Sequence, residues 1–534
     1  MIQDLLADAI RDALTALGVD PLPTEIRLER PARREHGDWS TNVALASAKA
    51  AGRNPRELAA ELAEHLSVHP PPHVASVEIA GPGFVNFHLD DTWLHDQLRV
   101  VVAEGTDGYA RSDQGAGVKV NVEFVSANPN KPLHGGHARG ACLGDSIARL
   151  LERTGHEVTR ETYLNDRGVQ MALFAESLAA RARGEEPPED GYQGEYLVEW
   201  AAEMPADADP LEWGYQRALQ SHRDTLDRVN VHFDVWFSER SMVDDGKIEA
   251  ALDDLRSRDV VYEDDDAVWL RTTDHGDDKD RVLVKGDGEL TYLTPDIAYH
   301  RDKFSRADRL VNVWGADHHG YVPRMKAAMQ TLGHDPDELQ IIITQLVDLE
   351  RGGEKVRMSG RAGDMVTFDE IIDEVGGDAA RFTYLMQSAD SRQTIDLDLV
   401  SSQVMENPVF YVQMAHARLC SIQRNAADAG FDAPDVGTVD LAPLTHLREL
   451  EVLRVLSELP DVVSYAAGER APHKITTWLR ELAAAVHGFY HDCYVVGDDV
   501  SPELTAARLA LVEAARVGLA VGLDLVGVSA PESM

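Results

Sequence analysis

The sequence predicts an α/β protein built on a doubly wound parallel sheet, with a smaller α/β domain before it and an all-α domain after it. Three observations carry that expectation. In VKVNVEFV, Val118, Val120 and Val122 alternate with Lys119, Asn121 and Glu123, as in a strand; the loop NPNKPLHGG follows, and HARGACLGDSIARLLERTG reads as a helix. The same order of strand, glycine-bearing loop and helix recurs at RLVNVWGADHHGYVPRMKAAMQTLG, ahead of a further strand, LQIIITQLV. Alternation of this kind makes a parallel sheet that binds ligands at its strand ends. From about Ser401 the pattern is helical throughout, as in LRELAAAVHGFYHDCYVV and ARLALVEAARVGLAVGLDLVGV.

Taken in chain order, residues 1–108 form a small α/β unit. Helical patterns at Leu5 to Leu17 and Pro55 to Leu66 accompany strands such as VEIAGPGFVNFHL. The glycines of EGTDGYARSDQGAG mark a linker. The central domain is expected over 109–400, with an acidic, proline- and glycine-rich insertion at about 185–280. Residues 401–534 form the helical domain. Within GHARGACLGDS, Gly136, Gly140 and Gly144 recur every four residues and let that helix approach its neighbours closely.

A chain of 534 residues exceeds one ordinary core, which agrees with several domains. Hydrophobic content of 44% and charged content of 27% are those of a soluble globular protein. No apolar run approaches the roughly 20 residues that span a bilayer. The opening MIQDLLADAIRDALTALG is an acidic amphipathic helix and not an export signal. Cys142, Cys420 and Cys493 lie far apart, which points to a reducing, cytoplasmic setting and away from a cysteine zinc site. The net charge of -41, with 41 arginines against only 10 lysines, suits a self-repelling, halophilic surface. At molar salt the Debye length is about 3 Å, so such repulsion is screened. Any RNA site must then be a local patch.

The stretch NPNKPLHGGHARG concentrates the chemistry. His134 and His137 lack the Glu of a zincin and have no cysteine nearby, and no G-x-S-x-G elbow accompanies them. What remains is a turn whose backbone N–H groups meet a phosphate at a helix N-terminus, with imidazole N–H groups beside it. Gly135 and Gly136 let a nucleotide lie on the backbone. Downstream, in VRMSGRAGDM, Arg357, Ser359 and Arg361 share a glycine-bearing cationic loop that could fold over a triphosphate.

PLHGGH resembles the HIGH signature of class I aminoacyl-tRNA synthetases, and RMSGR a degenerate KMSKS loop. More narrowly, the chain resembles the arginyl-tRNA synthetases over nearly its whole length. The stretches that carry this are EHGDWSTNVA, GPGFVNFHL, VEFVSANPNKPLHGGHARG, YLNDRGVQ, YLTPDIAYH, WGADHHGYVPRM, RMSGRAG, NPVFYVQMAHAR and GLDLVGVSAPESM. The resemblance implies a Rossmann-like catalytic domain, a helical anticodon-binding domain and a two-step reaction. ATP (as its Mg2+ complex) and L-arginine give arginyl-adenylate, and the arginyl group then passes to the terminal ribose of tRNA(Arg). In that family the first step generally requires bound tRNA. A monomer without a structural metal is expected.

By the same resemblance, His134 and His137 hold the ATP phosphates. Asp317 meets the ribose with His318 or His319 alongside, and Met358 belongs to the ATP site. Tyr292 and Asp296 match the guanidinium-binding positions; Glu123, Ser126 and Asn128 match positions around the substrate's amino acid portion. A guanidinium offers five donors and no acceptor, so a carboxylate should meet it. Asp296 after Pro295 also suits a helix N-cap. Phe84 and Asn86 match the aromatic and asparagine that grip a tRNA D-loop base, although Phe84 equally suits a core. Tyr411, Arg418 and Met534 are candidates in the anticodon-binding domain. One departure stands out: the second lysine of KMSKS is Gly360 here. Arginyl enzymes that share this loss tend to carry a lysine just before HIGH, and Lys131 occupies that place.

Overall fold

The computed structural model describes residues 2–31, 33–356 and 366–534. Arg357, Met358, Ser359, Gly360 and Arg361, the expected triphosphate loop, therefore lie outside the described residues. The chain divides into two units. One comprises Met1–Ala103, Ala426–Ser457 and Asp492–Ala514; the other comprises Glu104–Asn425, Glu458–His491 and Ala515–Met534.

In the first unit, helices Ile2–Ala16, Val43–Ala51 and Pro55–Val68 accompany an antiparallel sheet. Its strands lie in the order Trp39–Thr41, Phe84–Leu89, Val74–Ala80. Leu6, Ile10 and Leu14 recur on one face of the first helix and share a core with Trp39, Leu58, Leu62 and Phe87. Asn54 caps the helix Pro55–Val68 by accepting from Arg56 N at 2.9 Å, and Pro55 sits in the first turn, where its missing N–H costs nothing. Phe84 starts the middle strand and remains 37% exposed. Asn86, two residues on, is buried and accepts from Ser40 Oγ at 2.6 Å.

The second unit is organised by five parallel strands. In spatial order they are Leu339–Thr344, Arg309–Gly315, Lys119–Glu123, Glu157–Leu164 and Val235–Ser238. The alternation in VKVNVE is real, yet only Lys119 of its polar positions faces water. Asn121 and Glu123 are buried, Asn121 donating to Glu161 at 2.8 Å and Glu123 accepting from Lys303 at 2.6 Å. A parallel sheet covered on both faces leaves no wet side, so polar residues there must find partners. The helix Gly135–Arg153 packs close to the sheet at Gly144, where a side chain would strike the Phe124 ring.

The expected insertion at about 185–280 is not separate from this framework. Its strand Val235–Ser238 is the sheet's edge strand. Leu197 and Trp200 from Glu195–Glu203, and Tyr215 and Leu219 from Pro210–Asp227, share a core with Leu164, Met171 and Phe174. Ile248, Leu252 and Leu255 from Lys247–Ser257 pack beneath the sheet with Leu310 and Leu339. A four-residue edge strand has too few positions to show a period, and most of the acidic residues that suggested an insertion lie on solvated faces, Glu239 and Asp277 excepted. A three-stranded antiparallel sheet, Val261–Asp264, Ala267–Leu270 and Arg281–Val284, completes the stretch.

A buried charge cluster braces the helix Gly135–Arg153. Burial alone would raise the Asp145 pKa, but Arg381, Arg149 and Arg160 together hold it down to about 2. Arg381, fully buried, also donates to the carbonyls of Val229 at 2.7 Å and Asn230 at 3.1 Å, and to that of Val526. Removing it takes the Arg381 donors from the carbonyls of Val229 and Val526 and leaves Asp145 without one of its buried partners, while the Asn230 carbonyl keeps Arg149 at 3.1 Å. Arg381→Met is therefore expected to destabilise the protein by about 3–5 kcal/mol, read as a lowered denaturant midpoint. A loss below about 1 kcal/mol would show that Arg149 and Arg160 suffice.

Candidate active site

Strands Lys119–Glu123 and Arg309–Gly315 lie side by side and parallel, and the sheet grows outward from them in opposite directions. Their carboxyl ends therefore form the topological switch point, where such sheets open a crevice. One strand runs into the loop that reaches His134; the other runs into Ala316–Tyr321. The chain bends sharply on leaving the first strand. Val125 (φ 71) and Ser126 (φ 37) occupy the left-handed region, which a β-branched residue strongly disfavours. The bend places Ser126 Oγ 2.8 Å from Glu123 Oε1.

His134 caps the helix Gly135–Arg153, its Nδ1 accepting from Gly136 N at 3.1 Å. His137 completes the box, its Nδ1 accepting from His134 N at 3.3 Å. The two rings lie 3.8 Å apart, centroid to centroid. Burial, with Lys131 nearby, lowers the pKa of His134; burial, then His134, His222 and Lys131, takes that of His137 to about 3. Both rings are thus neutral. Because each Nδ1 accepts a backbone N–H, each Nε2 carries the proton and is free to donate. The Nδ1 lone pairs are engaged, so the rings suit an anion at the helix N-terminus better than a metal.

A cavity of about 200 Å³ at this turn is lined by Ser126, Ala127, Asn128, Lys131, Pro132, His134 and His137. It brings together five of the residues expected from the sequence. Lys131 is exposed on its rim. Gly135 N donates to Val366 O at 2.9 Å and Phe368 N to Leu133 O at 2.8 Å. The described residue that follows the undescribed stretch is thereby tied to the His134 turn.

Beside this cavity lies an acidic group of side chains. Asp296 sits in the first turn of the helix Leu293–Phe304, yet it does not cap it; its Oδ2 accepts from the Tyr321 hydroxyl at 2.6 Å. Its pKa is pushed up to about 7, chiefly by burial; the Tyr321 bond opposes this, Glu123 and Glu239 add to it and Lys303 lowers it. Burial likewise raises the pKa of Glu239, which bonds Tyr163. Lys303 is fully buried, with Nζ donating to Glu123 at 2.6 Å and Asn312 Oδ1 at 2.9 Å. Asn312 donates to His300 Nε2 at 2.7 Å, and His300 Nδ1 lies 2.8 Å from the Asp296 carbonyl. One hydrogen-bonded chain thus runs from Asp296 through His300, Asn312, Lys303 and Glu123 to Ser126. Three carboxyl groups, opposed by the Lys303 ammonium and by Arg167 beside Glu239, leave the pocket short of one positive charge, as a cationic ligand requires.

Sequence reasoning missed Lys303, His300, Asn312, Glu239 and Tyr321. The resemblance singled out Asp296 in YLTPDIAYHRDK but gave no reason to follow the same face one and two turns on, to His300 and Lys303. Other expected residues stand apart from this network. Tyr292 is 90% exposed at the start of its helix. Asp317 is exposed and 3.4 Å from His318 Nε2. Asn128 donates to Gln170 at 2.9 Å. Among the later helices, the Tyr411 ring lies 4.5 Å from His487, Arg418 lies over the Tyr490 ring at 4.9 Å, and Met534 is exposed. Phe84 and Asn86 belong to the first unit.

Three family profiles match: the arginyl tRNA synthetase N terminal domain over residues 2–89, the catalytic domain of the class I (R) tRNA synthetases over 100–189 and 207–423, and the DALR anticodon binding domain over 412–534. The chain is 46% identical to the arginine–tRNA ligase of Moorella thermoacetica, covering 99% of this chain and 98% of that one. It is 48% identical to that of Frankia alni, covering 99% of each. The arginyl-tRNA synthetase of Thermus thermophilus, 24% identical, has the same fold over 100% of both chains, with a TM-score of 0.77. Matched in all three parts and along its whole length, the chain belongs to the arginyl-tRNA synthetases.

Proposed function

We propose that the crevice performs the family's reaction, ATP-dependent ligation of L-arginine to tRNA(Arg), with the following division of roles. ATP enters as its Mg2+ complex, with its ribose at Asp317 and His318 and its phosphates over Gly135, Gly136, His134 and His137. The neutral Nε2–H groups donate to phosphate oxygens as charge builds there. Lys131 supplies positive charge that the KMSKS-like loop lacks at Gly360; Arg357, Met358, Ser359 and Arg361 contribute from that loop. The arginine guanidinium meets Asp296 and Tyr292, and its amino acid end meets Glu123, Ser126 and Asn128.

The arginine carboxylate attacks the α-phosphorus, forming an acyl–phosphate bond as the bond to pyrophosphate breaks. A hydroxyl of the terminal tRNA ribose then attacks the arginyl carbonyl, loses its proton and releases AMP. Phe84 and Asn86 contact the D-loop of tRNA(Arg). Tyr411, Arg418 and Met534 contact its anticodon side. We read the protein as a monomer, cytoplasmic on the strength of its three scattered cysteines and adapted to high salt on that of its charge of -41. No described helix is long and apolar enough to cross a membrane.

The observation that carries this reading is the pairing of two neutral imidazole donors with an electron-rich carboxylate pocket across one strand end. ATP–pyrophosphate exchange tests it. Exchange is expected with L-arginine and tRNA(Arg) together, fastest at high salt, and not with arginine alone. No exchange under any of these conditions would overturn it, and exchange without tRNA would point to an adenylating enzyme of small molecules.

A further inference from the structure

Lys131 is exposed, and among the described residues its ammonium makes no ion pair, yet the backbone that carries it is held from one side. His222 is buried on the helix Pro210–Asp227, with Nε2 2.8 Å from the Lys131 carbonyl oxygen. A carbonyl can only accept, so His222 donates. Burial lowers its pKa to about 4, against the opposing effect of that bond, and the ring is neutral. One residue earlier, the Asn130 carbonyl accepts from the Tyr196 hydroxyl at 2.9 Å. The Asn130 side chain donates to the Tyr192 hydroxyl at 2.7 Å.

The helix that carries His222 also grips the other side of the His134 turn. Thr225 Oγ1 donates to Asp369 at 2.6 Å, and Arg228 donates to Asp369 at 2.6 Å and to Asp373 at 2.5 Å. Asp369 and Asp373 lie on the helix Phe368–Val375, whose capping residue Thr367 bridges to His134. One helix therefore sets two walls of the phosphate site relative to each other. A lysine loses much rotamer freedom on being ordered, so a fixed starting point for its side chain limits the space its ammonium must search.

The geometry points to His222 and Tyr196 as positioning residues for Lys131, acting through the carbonyls of Lys131 and Asn130 and touching no substrate. This inference rests on the proposed role of Lys131. The alternative is that His222 and Tyr196 are simply satisfied polar groups that stabilise the fold.

A double-mutant cycle on the full chain separates the two, with ATP–pyrophosphate exchange in the presence of L-arginine and tRNA(Arg) as the readout. His222→Leu is expected to lower kcat about tenfold, with the KM for arginine unchanged. His222→Gln, which keeps a donor near Nε2, restores most of the rate. Tyr196→Phe removes only the donor to the Asn130 carbonyl and keeps the ring; it lowers kcat in the same sense and carries the test should His222→Leu not fold. In a Lys131→Ala background, both effects should vanish, because there is no ammonium left to place. Equal losses in the two backgrounds overturn the inference while leaving Lys131's role intact. An exchange rate unchanged by Lys131→Ala alone overturns that role, and the inference with it.

Discussion

Replacing Lys131 with alanine is expected to slow ATP–pyrophosphate exchange by about 10²–10³-fold, while the Kd for tRNA(Arg) changes little. The magnitude is that of losing one well-placed donor to developing charge, about 2.7–4 kcal/mol of transition-state stabilisation. Two features of the site make the effect large. Both imidazoles at the helix start are neutral, so they donate hydrogen bonds but bring no net charge to the triphosphate. Lys131 is the cation lining the same cavity as both histidines. Its ammonium is a compact point charge, so Lys131→Arg should recover only part of the rate, because a broad planar fork replaces it. Measured at a fixed, stated salt, an unchanged exchange rate in Lys131→Ala would remove Lys131 from the mechanism.

The Asp296→Asn substitution should raise the KM for arginine about 10–10²-fold, equivalent to one or two charge-assisted hydrogen bonds, with the KM for ATP nearly unchanged. Its pH dependence is more diagnostic. In the free protein the Asp296 pKa is about 7, raised mainly by burial and further by Glu123 and Glu239. Below that pH the carboxyl is protonated and a guanidinium must displace the proton. The kcat/KM for arginine should therefore rise with pH through about 7 and level off above it, and Asp296→Asn should lose that limb.

Stability runs the opposite way. An unfolded aspartate titrates near 3.9, so between there and about 7 the folded chain holds a proton that the unfolded chain has released. Folding stability contributed by this group accordingly falls as pH rises across that window. At pH 8 the Asn variant, relieved of a repelled charge, is expected to melt at a higher temperature than the wild type while binding arginine less well. Equal weakening of arginine and ATP would instead indicate a distorted fold.

That Lys131, His134 and His137 would share one cavity was legible because they are contiguous. Lys131, His134 and His137 lie within seven residues, on a loop whose preceding strand and following helix both have clear periods. Asp296 was singled out by the family resemblance; its local sequence suggested an N-cap, which its bond to Tyr321 refutes. The supporting residues were not legible. Glu123 and Lys303 are separated by 180 positions and His222 and Lys131 by 91, and no local pattern links residues so far apart. The alternation of the first central strand was read correctly as a strand, but which face meets water depends on what covers the sheet. The edge strand Val235–Ser238 was hidden inside a stretch whose composition suggested an insertion.

By itself the sequence determined the glycine-bearing turn at His134, the strand–loop–helix repeats and the helical C-terminal region, because turn chemistry and hydrophobic period act over a few residues. Tertiary structure alone decided the charge states and the supports. Burial neutralised His134 and His137, lifted Asp296 toward neutrality and placed Lys303 against Glu123. Desolvation and pairing arise only when distant segments exclude water together, and that exclusion belongs to the fold, not to any short run of residues.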